Sequence, residues 1–115
     1  MIADRRTTTP DRDRRQLWYR AYGAAQSCAR HLHIAYGIKQ VYLIGSVADR
    51  EGVDVHAGSD IDLVVAGLRP SCYFRALADL WRELPDGLEL DLIPLEYAHP
   101  MLRERALRDG IPLLP

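Results

Sequence analysis

The sequence predicts an α+β fold, a small β-sheet with helices packed on it. Three observations carry this expectation. Apolar residues recur at helical spacing in separate segments of the chain, short apolar runs of strand length lie between those segments, and the resulting order is helix, strand, short helix, strand, helix, strand, helix. With 115 residues the chain fits one domain, expected over residues 9–115 behind a disordered tail at 1–8.

The first helix is expected to start at Thr9-Pro10-Asp11, where a cap hydroxyl precedes proline at the first helical position and an acid in the first turn. Leu17, Ala21, Ala24, Cys28, Leu32 and Ala35 then form one apolar stripe, and Gly37 is a suitable stop. "KQVYLIG" reads as a strand ended by Gly45-Ser46, with one or two helical turns in "VADREG" and a loop in "VDVHAGS". "DIDLVVAG" reads as the second strand. Its period of two puts Asp60, Asp62 and Val64 on one face and Ile61, Leu63 and Val65 on the other. Pro70-Ser71 opens a helix with Tyr73, Leu77, Leu80, Trp81 and Leu84 inward, ended by Pro85-Asp86-Gly87. "LELDLIP" is the third strand, with Glu89 and Asp91 opposite Leu88, Leu90 and Leu92. A last helix follows Pro100 with Leu102, Ala106 and Leu107 inward, and "GIPLLP" closes the chain.

Hydrophobic residues make up 48% and charged residues 27%, the balance of a globular chain and not of a disordered one. No apolar run approaches the roughly 20 residues that span a bilayer, and "MIADRRTTTPDRDRRQ" lacks the apolar segment of a signal peptide. A cytoplasmic location without membrane contact is expected. The net charge of -1 argues against a broad nucleic-acid surface, which needs a basic excess. Cys28 and Cys72 lack metal-ligand spacing and read as small buried residues in a reducing compartment.

The chemistry concentrates in the acids. Asp60 and Asp62 stand two apart on a strand, so both carboxylates reach toward one point. Left ionised and unpaired among apolar neighbours, they cost several kcal/mol each. Hard oxygen ligands with room for water and phosphate suit Mg²⁺ or Mn²⁺ better than Zn²⁺. Asp91 completes a cluster if its strand lies beside that of Asp60 and Asp62, and three carboxylates can hold two ions about 3.5–4 Å apart. Gly45-Ser46, where a strand runs into a helical turn, exposes backbone N–H groups to a phosphate, and the Ser46 hydroxyl adds a donor. Taken singly, Gly-Ser is an ordinary turn, Asp-x-Asp a capped strand entry, and Asp91 a partner for Arg103 or Arg105. Together, on three strand ends, they describe a grip on a nucleoside triphosphate and its metal. The histidines add less: His31 and His33 face different ways on a helix, and His56 and His99 read as loop and helix-entry residues. Tyr22, Tyr42, Tyr73 and Tyr97 read as core or boundary residues.

"GSVADREG", followed by "GSDIDLVV" and "LELDLIP", resembles the minimal nucleotidyltransferase (MNT) domains of the DNA polymerase β superfamily, over about Lys39 to Leu114. The tail "LDLIPLEYAHPMLRERALRDGIPLL" is similar to the end of the antitoxin-like members. The resemblance implies the polymerase β-like nucleotidyltransferase fold with a small mixed sheet. It implies catalytic and metal-binding roles for Asp60, Asp62 and Asp91, with Asp91 also a base for the incoming hydroxyl, and nucleotide binding by Gly45, Ser46 and Arg50. It further implies Mg²⁺- or Mn²⁺-dependent transfer of AMP from ATP to a hydroxyl, a tyrosine of an all-helical HEPN toxin, which the transfer silences. Two features depart from the family pattern. In "GSxARG" the arginine position is held here by Asp49, with Arg50 one place later, and the loop from Ser46 to Asp60 is a few residues longer.

Asp49 favours an alternative, a non-catalytic antitoxin that neutralises a HEPN RNase by binding alone; retention of all three acids favours the enzyme. A glycosyltransferase Asp-x-Asp site, or a transferase for larger substrates such as antibiotics, would need a further domain for its acceptor.

Overall fold

The computed structural model describes residues 11–48 and 60–115. The expected tail at 1–8, the cap at Thr9-Pro10, and the loop with Asp49, Arg50 and His56 lie outside the described residues.

Helix α1 (Asp11–Tyr36) leads to strand β1 (Gln40–Ile44) and a 3-10 turn at Ser46–Ala48. Strand β2 (Asp60–Ala66), helix α2 (Tyr73–Glu83), strand β3 (Glu89–Pro94), helix α3 (Pro100–Asp109) and strand β4 (Ile111–Pro112) follow. The strands form one mixed sheet in the order β3-β2-β1-β4. β1 is antiparallel to β2 and to β4, whereas β2 and β3 are parallel with α2 as the crossover. The expected α+β layering is what forms.

The core lies between the sheet and the first two helices. Val41, Leu43, Ile61, Leu63, Val65, Leu90 and Leu92 point into it. α1 answers with Ala21, Ala24, Ala25, Cys28, Ala29 and Leu32, a stripe mostly of small side chains that lets the helix lie close to the sheet. Burial pushes the Cys28 thiol up to about 12, with Glu83 adding to the effect, so it behaves as a small apolar residue. Gly37, at φ 67, takes the left-handed conformation that ends α1.

α3 packs against β1. Val64 and Ala106 are fully buried yet stand outside the main cluster, and Val64 pairs with Tyr42. The second face of the sheet is thus partly covered.

Several inward assignments need correction. Ala35 is exposed. Trp81 is 45% and Leu107 53% exposed, because Ala76 and Leu80 on α2 and Ala106 on α3 take the buried places. Tyr97, expected at the boundary, is 71% exposed on a 3-10 turn at Leu95–Tyr97. The "GIPLLP" tail is not a plain terminus: Ile111–Pro112 pairs with β1, the N–H of Leu113 donates to Val41 O (2.8 Å), and His33 sets its ring nitrogens against the carbonyls of Ile38 and Leu113 (2.5 and 2.8 Å). No helix among the described residues is long and apolar enough to cross a membrane.

Candidate functional site

The acids gather at one end of the sheet because of strand direction. β2 and β3 both begin there, and β1, running the other way, ends there. In the parallel β2–β3 ladder Asp62 is level with Asp91 and Asp60 with Glu89. Residues at one level of a sheet share a face, so four carboxylates form a two-by-two patch. The opposite face at these levels carries Ile61 and Leu90, which are buried in the core.

Across the antiparallel ladder Ile44 is level with Asp62, so Gly45 comes beside the Asp62 carboxylate. A Cβ built on Gly45 would lie 2.6 Å from Asp62 Oδ2, and Gly45 has φ 82. Only glycine permits both the turn and the close approach. Ser46 follows directly and is half-buried, and Val47 is fully buried. Among the described residues the turn is a 3-10 turn, tied by Ala48 N–H to Gly45 O (3.1 Å). Its N–H groups and the Ser46 hydroxyl are the donors it offers an anion.

Asp62 is the strained member of the patch. Its carboxyl is pushed up to about 6, first by burial and then by the charges of Asp91 and Asp60. Among the described residues no basic side chain pairs with Asp60, Asp62 or Asp91. Arg103, one ordinary explanation for Asp91, instead donates to the carbonyls of Leu95 and Glu96 (3.2, 3.1 and 3.0 Å). The donor chemistry fits a hard divalent ion: carboxylate oxygens, partly or fully solvent-exposed, with no basic partner among the described residues. Among the described residues no three Asp, Glu, His or Cys side chains converge as a set that would hold an ion unaided. A ligand shell here would need oxygens from water or phosphate, as Mg²⁺ sites normally have.

Two hollows among the described residues lie away from the acids. One of about 450 Å³ is lined by Tyr22, Arg30 and Leu113, and another of about 540 Å³ by Ser27, His31 and Glu83. Neither of these two contains the acids. Chemistry outranks concavity here, since neither hollow gathers like charges without a counterion.

One polar cluster escaped sequence reasoning. Asp79 on α2 accepts hydrogen bonds from Tyr36 Oη (2.6 Å), His31 Nε2 (3.1 Å) and Arg82 Nη2. These bonds hold its carboxyl down to about 2, and the Tyr36 hydroxyl is correspondingly raised. The cluster joins the two helices that cover the sheet and lies on the far side of the core from the acids.

Comparison with known proteins agrees with this layout. The family model described as Polymerase beta, Nucleotidyltransferase matches residues 27–115. A solved structure of a candidate minimal nucleotidyltransferase is 30% identical, covers 87% of this chain and 95% of its own, and superposes with a TM-score of 0.56. The crystal structure of a candidate nucleotidyltransferase from Sulfolobus solfataricus is 16% identical, covers 91% of this chain and 87% of its own, and gives a TM-score of 0.54; it bears on the fold alone. Among curated proteins nothing matches the sequence.

Proposed function

We propose, from the premise that this chain belongs to the polymerase beta nucleotidyltransferase family, that it transfers AMP from ATP to a hydroxyl in a reaction dependent on Mg²⁺ or Mn²⁺. The acceptor is a tyrosine of a helical HEPN toxin, and the transfer makes this chain the antitoxin. The observation that carries the reading is the level pair Asp62 and Asp91, backed onto Gly45 and left without a cation among the described residues.

The residues divide the work. Asp60, Asp62 and Asp91 would hold the ion, which when bound would neutralise phosphate charge and favour the ionised acceptor oxygen. Ser46 and the N–H groups of its turn bind the outer phosphates; Arg50 is assigned to the triphosphate by its place in the sequence. The acceptor oxygen forms a bond to the α-phosphorus, the bond from that phosphorus to the bridging oxygen breaks, and pyrophosphate leaves with the electron pair. The hydroxyl proton passes to the Asp91 carboxylate. Asp91 suits the step because it is exposed on the edge strand beside Asp62.

A second reading, neutralisation by binding alone, draws on the lack of a converged three-residue ligand set among the described residues. One experiment separates the two. The protein is incubated with labelled ATP, Mg²⁺ and the helical protein encoded beside it, in parallel with a variant carrying Asp60→Asn and Asp62→Asn. Labelled partner that disappears in the variant supports the enzyme, and labelling indifferent to the substitutions refutes these roles. Tight complex formation without any label supports the binding-only antitoxin. Ser46→Ala should weaken labelling less than the double substitution, since the backbone donors of the turn remain.

A further inference from the structure

Trp18 lies on α1, outside every motif discussed above. Its indole Nε1–H donates to the carbonyl of Val47 (3.0 Å), across 29 residues of sequence. The bond is partly buried, and α1 packs against the 3-10 turn at this point. The ring is itself held: it stacks on Tyr22 (centroids 4.8 Å apart, planes at 20°) and meets the edge of Tyr19 at 5.1 Å. An indole so braced is a stiff strut, because stacking removes the freedom that a lone side chain would keep.

Among the described residues, one backbone hydrogen bond closes the turn it supports, from Ala48 N–H to Gly45 O. The Val47 carbonyl, at the middle of this turn, accepts from the indole. Ser46 therefore sits between two fixed points. On one side Gly45 is pressed against the Asp62 carboxylate, and on the other Val47 is tied to Trp18. The distance from the Ser46 donors to the acid patch is set by both.

We propose that Trp18 is a positioning residue for the triphosphate: through the Val47 carbonyl it fixes the Gly45–Ala48 turn at the separation from Asp62 that a metal-bound phosphate chain requires. This rests on the nucleotidyltransferase reading. Trp18 touches neither phosphate nor ion; it acts through the turn. Its loss leaves the carboxylates in place and displaces the phosphate donors, so triphosphate affinity falls while affinity for the ion alone does not.

The test measures two affinities in W18F, which keeps an aromatic ring and removes the N–H: ATP in the presence of Mg²⁺, and Mn²⁺ without nucleotide. W81F, on α2, is the control for loss of an indole. ATP affinity should drop roughly three- to tenfold in W18F, the scale of one lost hydrogen bond, with Mn²⁺ affinity unchanged and W81F like the wild type. Equal ATP affinity in W18F and wild type would overturn the inference alone. A joint fall in ATP and Mn²⁺ affinity would also overturn it, leaving Trp18 a packing residue. Wild-type protein that binds no ATP would instead remove the nucleotidyltransferase reading beneath it. Should W18F fail to fold, the W81F protein retains Trp18 as its single tryptophan. Its emission should then change saturably with ATP and Mg²⁺ and stay constant with Mg²⁺ alone; no response to ATP would overturn the inference.

Discussion

Asp62 Oδ2 occupies the space that a side chain at Gly45 would need: a Cβ there would lie 2.6 Å from it. The contact joins the two halves of the candidate site, the turn proposed for phosphate and the acid proposed for metal. Gly45→Ala therefore does two things. It forces a non-glycine residue to φ 82, costing about 1–2 kcal/mol, and it pushes the Asp62 carboxylate off its position. Chemical denaturation should register the first and a Mn²⁺ titration the second. Unaltered Mn²⁺ affinity in a folded Gly45→Ala protein would detach the turn from the metal site.

Asp62 is kept at a cost to the metal-free fold. Burial, Asp91 and Asp60 all oppose its ionised form. Asp62→Asn removes the charge and keeps the shape, so the metal-free variant should be more stable than wild type at neutral pH. The gain should be on the order of 1 kcal/mol, discounted because Asp62 is only partly buried and solvent screens it. Melting in a chelator and then in excess Mg²⁺ gives the reading. The order of stability should reverse when Mg²⁺ is present, because only the wild type gains from the ion. A variant less stable than wild type in chelator would mean that Asp62 has a structural partner after all.

Arg103 offers a control on Asp91. Its guanidinium closes the Leu95–Tyr97 turn onto α3 through two carbonyls. Arg103→Ala should cost about 1 kcal/mol of stability and leave Mn²⁺ affinity and partner labelling as they are. A large loss of Mn²⁺ affinity would show that Asp91 depends on Arg103, restoring the ordinary ion-pair explanation of that acid.

What could be read from the sequence was local. The period of two placed Asp60 and Asp62 on one face, and Gly37 and Gly45 marked real turns, both at positive φ. That β3 lies beside β2, in parallel and with Asp91 level with Asp62, is a long-range pairing that no local pattern encodes; it entered only as a condition. β4 was missed for a related reason. Two residues containing a proline carry no strand periodicity, and what makes them a strand is the edge of β1 and the His33 ring that meets Leu113. Trp81 and Leu107 were misplaced because spacing names a helix face but not its width. The buried stripes here are narrow: Ala76 and Leu80 on α2, and Ala106 on α3.

The cluster around Asp79 was invisible for the same reason: Tyr36 and His31 lie 43 and 48 residues away. It makes the most direct pH prediction. In the folded chain the Asp79 carboxyl is held down to about 2, against an ordinary value of 3.8, by the Tyr36 hydroxyl first, then by His31 and by Arg82. A carboxyl lowered on folding favours the fold when ionised. Its contribution is therefore complete above about pH 4, shrinks as pH falls, and is gone near pH 2. Asp79→Asn keeps the size of the side chain and removes the charge. The stability gap between wild type and this variant, measured by urea denaturation, should be widest near neutrality and close as pH falls from 4 to 2. Tyr36→Phe, which deletes the hydroxyl that donates to Asp79, should narrow the same gap without touching Mn²⁺ affinity at the opposite side of the core. A gap that stays constant down to pH 2 would mean that the charge of Asp79 contributes nothing and that the cluster joins α1 to α2 by packing alone.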